Sequence, residues 1–170
     1  EGKDAFDLLD EVEQKLELKV TPLSFPVGMG YDFNGIYNIW KKNINLFTAD
    51  SKKDIYETVE VSDLKDRMLN KVLGESAAET LREEIEIVEG IYPSFDRSAY
   101  LEGELQPVFF GSALNNFGVK ELLDCFVDIA PTPRPKSSEE RLVKPSECKF
   151  SGFVFKIHAN MDPKPVSYTH

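Results

Sequence analysis

The residues with the most specific chemistry lie in one short stretch, Gln106 to Val119, which reads QPVFFGSALNNFGV. After Pro107, the apolar run Val108, Phe109 and Phe110 has the look of a strand covered on both faces in an α/β sheet. It stops at Gly111 and passes through Ser112, Ala113 and Leu114. Polar Asn115 and Asn116 with Gly118 break the pattern, and Val119, Leu122, Leu123, Phe126 and Ala130 then recur at helical spacing. A turn between strand and helix leaves backbone N–H groups free, and ligands of open α/β sheets sit outside the carboxyl ends of strands. Ser112, Ala113 and Leu114 are therefore candidate donors to an acceptor-bearing ligand. The same layout also serves as plain architecture in most α/β domains. Asn115 and Asn116 read as turn and cap residues.

Reactive side chains elsewhere form no constellation. His158 and His170 have no acid or cysteine partner at catalytic or ligand spacing. Cys125 and Cys148 are far apart and not in a CxxC pattern, so neither a disulfide framework nor a zinc site is expected. Gly28-Met29-Gly30 invites a phosphate-loop reading but lacks the Gly-Lys-Ser/Thr that would complete it, and a flexible turn is expected. Trp40 and Tyr37 beside Lys41 and Lys42 resemble a base-stacking platform, yet aromatics at strand spacing belong to cores. A net charge of -10 over 170 residues also opposes a phosphate-binding footprint.

The elements that must position the turn can be read in order. Glu1 to Leu18 is an amphipathic helix capped by Asp4, with Ala5, Leu9, Val12 and Leu16 on one face. Thr21 to Val27 is a strand despite Pro22 and Pro26, and Phe33 to Phe47 a hairpin turning at Lys41-Lys42-Asn43. Ser51 to Asp54 is a turn and Ile55 to Val61 a further strand. Asp63 caps a helix over Leu64 to Leu73 ended by Gly74. Glu75 to Glu89 puts Ala78, Leu81, Ile85 and Val88 inward and Glu75, Glu79, Glu83, Glu84, Glu86 and Glu89 outward, either as a solvated surface or as a docking face for a basic partner. Phe95 to Glu102 is a short helix. PTPRPKSSEER after Ala130 is a stiff polar linker, and Lys149 to Ala159 opens a new β element. No apolar run approaches the ~18 to 20 residues of a membrane span and no signal peptide is visible, so a cytoplasmic setting is expected.

Three stretches, EGKDAFDLLDEVE, GELQPVFFGSALNNFGV and KFSGFVFKIHANMDPK, resemble the bacterial class-II peptide-chain release factors, the release-factor-three family of translational GTPases. The resemblance runs from Glu1 to about Lys164. It implies an α/β fold: the carboxyl-terminal part of a P-loop GTPase-type sheet (1–132) with an inserted α+β subdomain (about 31–105), a linker (133–148) and the first strand of a β-barrel domain (149–164). The tail 165–170 departs from the family. By the same resemblance Ser112, Ala113 and Leu114 form the guanine-recognition loop for GTP or GDP. The amide of Ala113 meets guanine O6, Ser112 supports the turn, and Leu114 gives it an apolar footing.

The family's phosphate loop, magnesium ligands and switch regions lie upstream of Glu1. This chain alone is thus expected neither to hydrolyse GTP nor to bind it tightly. Implied partners are the ribosome, class-I release factors and, through the inserted subdomain, a ribosomal stalk protein, with no membrane and no DNA. Two alternatives stay open: an elongation-factor-G-like or ribosomal-protection GTPase, and a non-enzymatic module that docks a basic partner on the acidic helix.

Overall fold

The computed structural model describes residues 3–47, 57–113, 115 and 117–156. It divides into two units, Glu1–Ala130 and Pro131–His170. The first is a mixed α/β fold with a small parallel and a larger antiparallel sheet.

Helix α1 (Ala5–Leu16) begins where Asp4 accepts the Phe6 amide and ends at Glu17 in the left-handed region. Ala5 and Leu9 are buried, whereas Leu16 lies in solvent. The apolar run Thr21 to Val27 is not one strand. It divides at Leu23 into β1 (Lys19–Pro22) and β2 (Ser24–Val27), which join different sheets. Leu23 is the pivot: its N–H donates to Val108 O at 2.9 Å, while its carbonyl accepts from Trp40 N at 3.2 Å. Pro26 is tolerated because β2 is an edge strand, with β3 on one side only.

Strands β3 (Gly35–Asn38), β4 (Asn43–Leu46) and β5 (Glu57–Glu60) complete an antiparallel meander in the order β2-β3-β4-β5. The expected hairpin is present, with Lys42 at φ 57 in its turn. The turn expected at Ser51 to Asp54 lies outside the described residues. Register places Phe25, Tyr37, Ile44 and Val59 in one row across the sheet. That face packs on α1, α2 (Arg67–Leu73) and α3 (Glu75–Ile91), whose Ala78, Leu81, Ile85 and Val88 are all buried in the same core. The cap of α2 is Asp66 rather than Asp63, because Asp63 is already engaged in a tight turn with the Lys65 amide. Arg82 fastens α3 to the segment that leads into α2 through Leu64 O at 2.6 Å, and to α2 itself through Asn70 Oδ1 at 2.5 Å.

Tyr37 is 2 % exposed. Burial, and then the negative charge of Glu89, push its phenol from 10.0 up to about 12. A raised value means the neutral form is stabilised by folding: that contribution is complete below pH ~10 and is lost as the pH climbs toward 12. Ultraviolet titration of tyrosinate is expected to show Tyr37 ionising late. Normal titration of all six tyrosines in the folded protein would contradict this burial.

Helix α4 (Arg97–Glu102), capped by Asp96, precedes β6 (Leu105–Val108), which pairs in parallel with β1 from Lys19↔Leu105 to Pro22↔Val108. The strand stops at Val108, before Phe109 and Phe110, and only Leu105 in it is fully buried. The apolar run predicts coverage on both faces; within this chain the parallel sheet has two strands among the described residues and stays half-open. Helix α5 (Val119–Ile129) follows.

The second unit carries a small hairpin, β7 (Lys136–Ser137) with β8 (Leu142–Val143), inside the stretch expected to be a linker. Residues 149–156 form no strand, and Phe150, Phe153 and Phe155 are exposed. An isolated strand leaves its backbone groups without a ladder, which accounts for the difference from the expected β element. The continuation to Ala159 lies outside the described residues.

Candidate functional site

The segment after β6 folds back on itself. Ser112 and Phe117 exchange both backbone hydrogen bonds, Ser112 N to Phe117 O at 2.9 Å and Phe117 N to Ser112 O at 3.1 Å. Inside this closed turn Ser112 Oγ accepts the Asn115 amide at 3.2 Å. Ala113 follows Ser112 into the loop, and among the described residues no hydrogen bond occupies its amide. The turn thus uses the amides of Ser112, Asn115 and Phe117 internally, and among the described residues that of Ala113 has no acceptor. Leu114 and Asn116 lie outside the described residues.

Two glycines permit the closure. Gly118 has φ +73, and a Cβ there would sit 2.2 Å from Phe110 O, 2.7 Å from Gly111 Cα and 3.0 Å from Ile36 Cδ1. A Cβ on Gly111 would meet Phe117 O at 2.7 Å. The two legs of the turn therefore touch backbone to backbone. Gly118 is also the N-cap of α5, a role expected of the asparagines, and among the described residues no side chain caps that helix.

The meander's second face supports this arrangement. Ser24 Oγ accepts the Phe110 amide at 2.9 Å, Ile36 abuts Gly118, and Asn45 Nδ2 donates to Glu121 Oε1 in the first turn of α5. Phe117 stacks on Phe33 with centroids 4.7 Å apart and meets Phe47 at 5.7 Å. Beside the turn opens a cleft of about 410 Å³ lined by Phe33, Phe47, Phe110, Gly111, Asn115 and Phe117, with Lys3 at its rim. Lys3 pairs with Glu11. Glu11, held by Lys15 and Lys3, has its carboxyl lowered to about 2. An aromatic cleft whose rim lysine is already engaged suits a flat, uncharged group better than a phosphate.

The other sequence candidates stand apart. Cys125 is on the buried side of α5, its thiol pushed up by burial and by Asp128, and Cys148 is exposed. Trp40 and Phe95 meet in a T-shaped contact with ring centroids 5.3 Å apart, which engages the indole in the fold. Gly28 turns the chain at φ +77, where a Cβ would lie 2.1 Å from Asp32 O. His158 and His170 lie outside the described residues. Along α3 the acids Glu75, Glu79, Glu83, Glu86 and Glu89 are exposed, while burial raises the carboxyl of half-buried Glu84. Among the described residues there is no cluster suited to a metal ion and no helix long and apolar enough to cross a membrane.

Sequence reasoning missed Phe117, Ile36, Asn45 and Glu121. Gly118 before a helical pattern was the one available signal; the others reach the turn only through the fold.

No protein-family model matches the chain. Among solved structures it is similar to the crystal structure of ttk003000868 from Thermus thermophilus, at 20% identity and a TM-score of 0.46 over 77% of this chain. The chain spans 21% of that protein's length.

Proposed function

We propose that this chain is the guanine-recognition portion of a ribosome-dependent GTPase of translation termination, similar to the release-factor-three family, which promotes recycling of class-I release factors. The observation that carries the reading is the amide of Ala113, without an acceptor among the described residues, on a turn that ties the amides of Ser112, Asn115 and Phe117 inward. Guanine presents an acceptor at O6 where adenine presents an amino donor. A fixed N–H therefore accepts the first base and is left unpaired by the second, a difference of about 1 to 3 kcal/mol. In this reading β1 and β6 are the carboxyl-terminal strands of a P-loop GTPase sheet, and the meander with α2 and α3 is its inserted subdomain. The resemblance across EGKDAFDLLDEVE, GELQPVFFGSALNNFGV and KFSGFVFKIHANMDPK supports the assignment.

Hydrolysis also needs a phosphate loop, magnesium and a water-orienting residue, which the reading places elsewhere in the parent protein. The ribosome, class-I release factors and a stalk protein are the partners it proposes, in the cytoplasm.

The test is Ala113→Pro in the protein expressed from the complete open reading frame, with Ala113→Gly as the control that keeps the amide. GDP affinity is expected to fall by about 10- to 100-fold in the proline variant, as an orphaned acceptor demands, and to hold in the glycine variant. Equal GDP affinity in all three proteins would remove Ala113 from guanine recognition.

A further inference from the structure

The antiparallel meander has two faces, and one of them packs into the main core cluster with the helices. On the other, register aligns Pro26, Ile36, Asn45 and Thr58 in a row across all four strands. This row leads from the sheet's outer strand to the closed turn. Thr58 Oγ1 donates to Asn45 Oδ1 at 2.7 Å, which orients the amide so that Nδ2 donates to Glu121 Oε1. Ile36 in the same row touches the Gly118 position, and Phe33 and Phe47 at the ends of the hairpin hold Phe117. The second oxygen of Glu121 is buried without a partner among the described residues. A carboxylate held this way is costly unless its remaining contact is secure, so the Asn45 bond carries more weight than a surface contact would.

We propose that Thr58, Asn45 and Glu121 form a side-chain relay by which the meander sets the geometry of the Ser112–Phe117 turn, making them positioning residues for the Ala113 amide. Its bearing on nucleotide rests on the guanine reading above; the relay itself does not. Glu121 lies in the first turn of α5, three residues past the Gly118 hinge, so a shift of the helix start moves the leg of the turn that Phe117 closes. A load applied to β5 then reaches the turn through two hydrogen bonds. The inserted sheet acts as the platform on which the recognition turn is tuned.

Amide hydrogen exchange on the full chain reads the relay directly, since Ser112 and Phe117 protect one another only while the turn is closed. In Glu121→Ala and Asn45→Ala, exchange at both amides is expected to accelerate by about tenfold, the scale of one lost charge-assisted hydrogen bond. Exchange at Ile85 in the core is expected to stay at the parent rate. Glu121→Gln keeps an acceptor for Asn45 and is expected to restore protection, whereas Glu121→Met, of similar bulk but without that acceptor, is not.

Unchanged exchange at Ser112 and Phe117, or equal acceleration at Ile85, overturns the relay. Should the alanine variants fail to fold, Thr58→Val decides: this exposed site removes only the hydroxyl, and an increase of about threefold at the turn supports the relay while none overturns it. GDP titration of the full-length parent is a separate arm. Absence of binding there sinks the guanine reading and leaves the exchange result standing.

Discussion

Replacing Gly118 by alanine is expected to destabilise the first unit by about 3 kcal/mol or more, the sum of a left-handed backbone imposed on an L-residue and an overlap that neither leg of the turn can relieve. The overlap is with backbone: Phe110 O at 2.2 Å and Gly111 Cα at 2.7 Å from the new carbon. Neither is the far end of a flexible side chain, and Phe110 is further pinned by its amide's bond to Ser24. The same chemical change at Gly90 is the control. Gly90 lies within α3, and an added Cβ there would meet nothing within 4 Å, so Gly90→Ala is expected to stabilise by roughly 0.5 to 1 kcal/mol through helix propensity. Urea unfolding followed by circular dichroism measures both. A loss below about 1 kcal/mol in Gly118→Ala would mean that the turn is not closed as described, since backbone strain alone reaches that figure.

Phe25→Ala carries the other large effect, about 3 to 5 kcal/mol for a fully buried aromatic. Phe25 is 1% exposed, with Phe6 of α1 at 5.2 Å and Phe110 at 5.5 Å between ring centroids. Its removal leaves a void where α1, the meander and the strand leading to the turn converge. Phe126→Ala is the informative comparison. Helical spacing ranks Phe126 as core, yet it is 58% exposed, and its loss is expected to cost less than about 1 kcal/mol. Equal costs for the two substitutions would show that the face of α5 is covered in solution.

That contrast marks the boundary of what periodicity can say. The stripe of α3 predicts Ala78, Leu81, Ile85 and Val88 as buried, and all four are. In α5 the same rule picks Leu122, Leu123 and Phe126, all exposed, whereas the buried residues are Cys125 and Ile129. A repeat reveals that a helix has an apolar side, not that the chain at hand supplies its cover. Thr21 to Val27 fails for another reason: side-chain alternation runs through Leu23 although the hydrogen-bonding partner changes there, and partners are non-local.

The turn was legible as a place but not as a mechanism. Ser112 and Ala113 are marked by the strand-to-helix transition, and Gly118 by its position before the helix. Asn45 and Glu121, separated by 76 residues, carry no local sign of their meeting. Even the α2 cap depended on context, since Asp63 and Asp66 offer equal carboxylates three residues apart and only one is free for the helix.

The parallel pairing of β1 with β6 places Pro22 beside Val108 and Lys19 beside Leu105, so the polypeptide leaves the ladder at one end and re-enters it at the other, a crossover of roughly 10 Å along the strands. The intervening excursion, from Leu23 to Glu104, must still bring its two ends back to one short ladder. Closing such a loop carries an entropy that grows only with the logarithm of its length, about 0.6 kcal/mol for each doubling. Length added at the outer margin of the excursion is therefore nearly neutral for the ladder, while changes along the Ile36 and Asn45 row are not. A segment built this way can acquire or shed decoration on its rim over evolutionary time and still deliver its two ends, and the turn beyond them, to the same address.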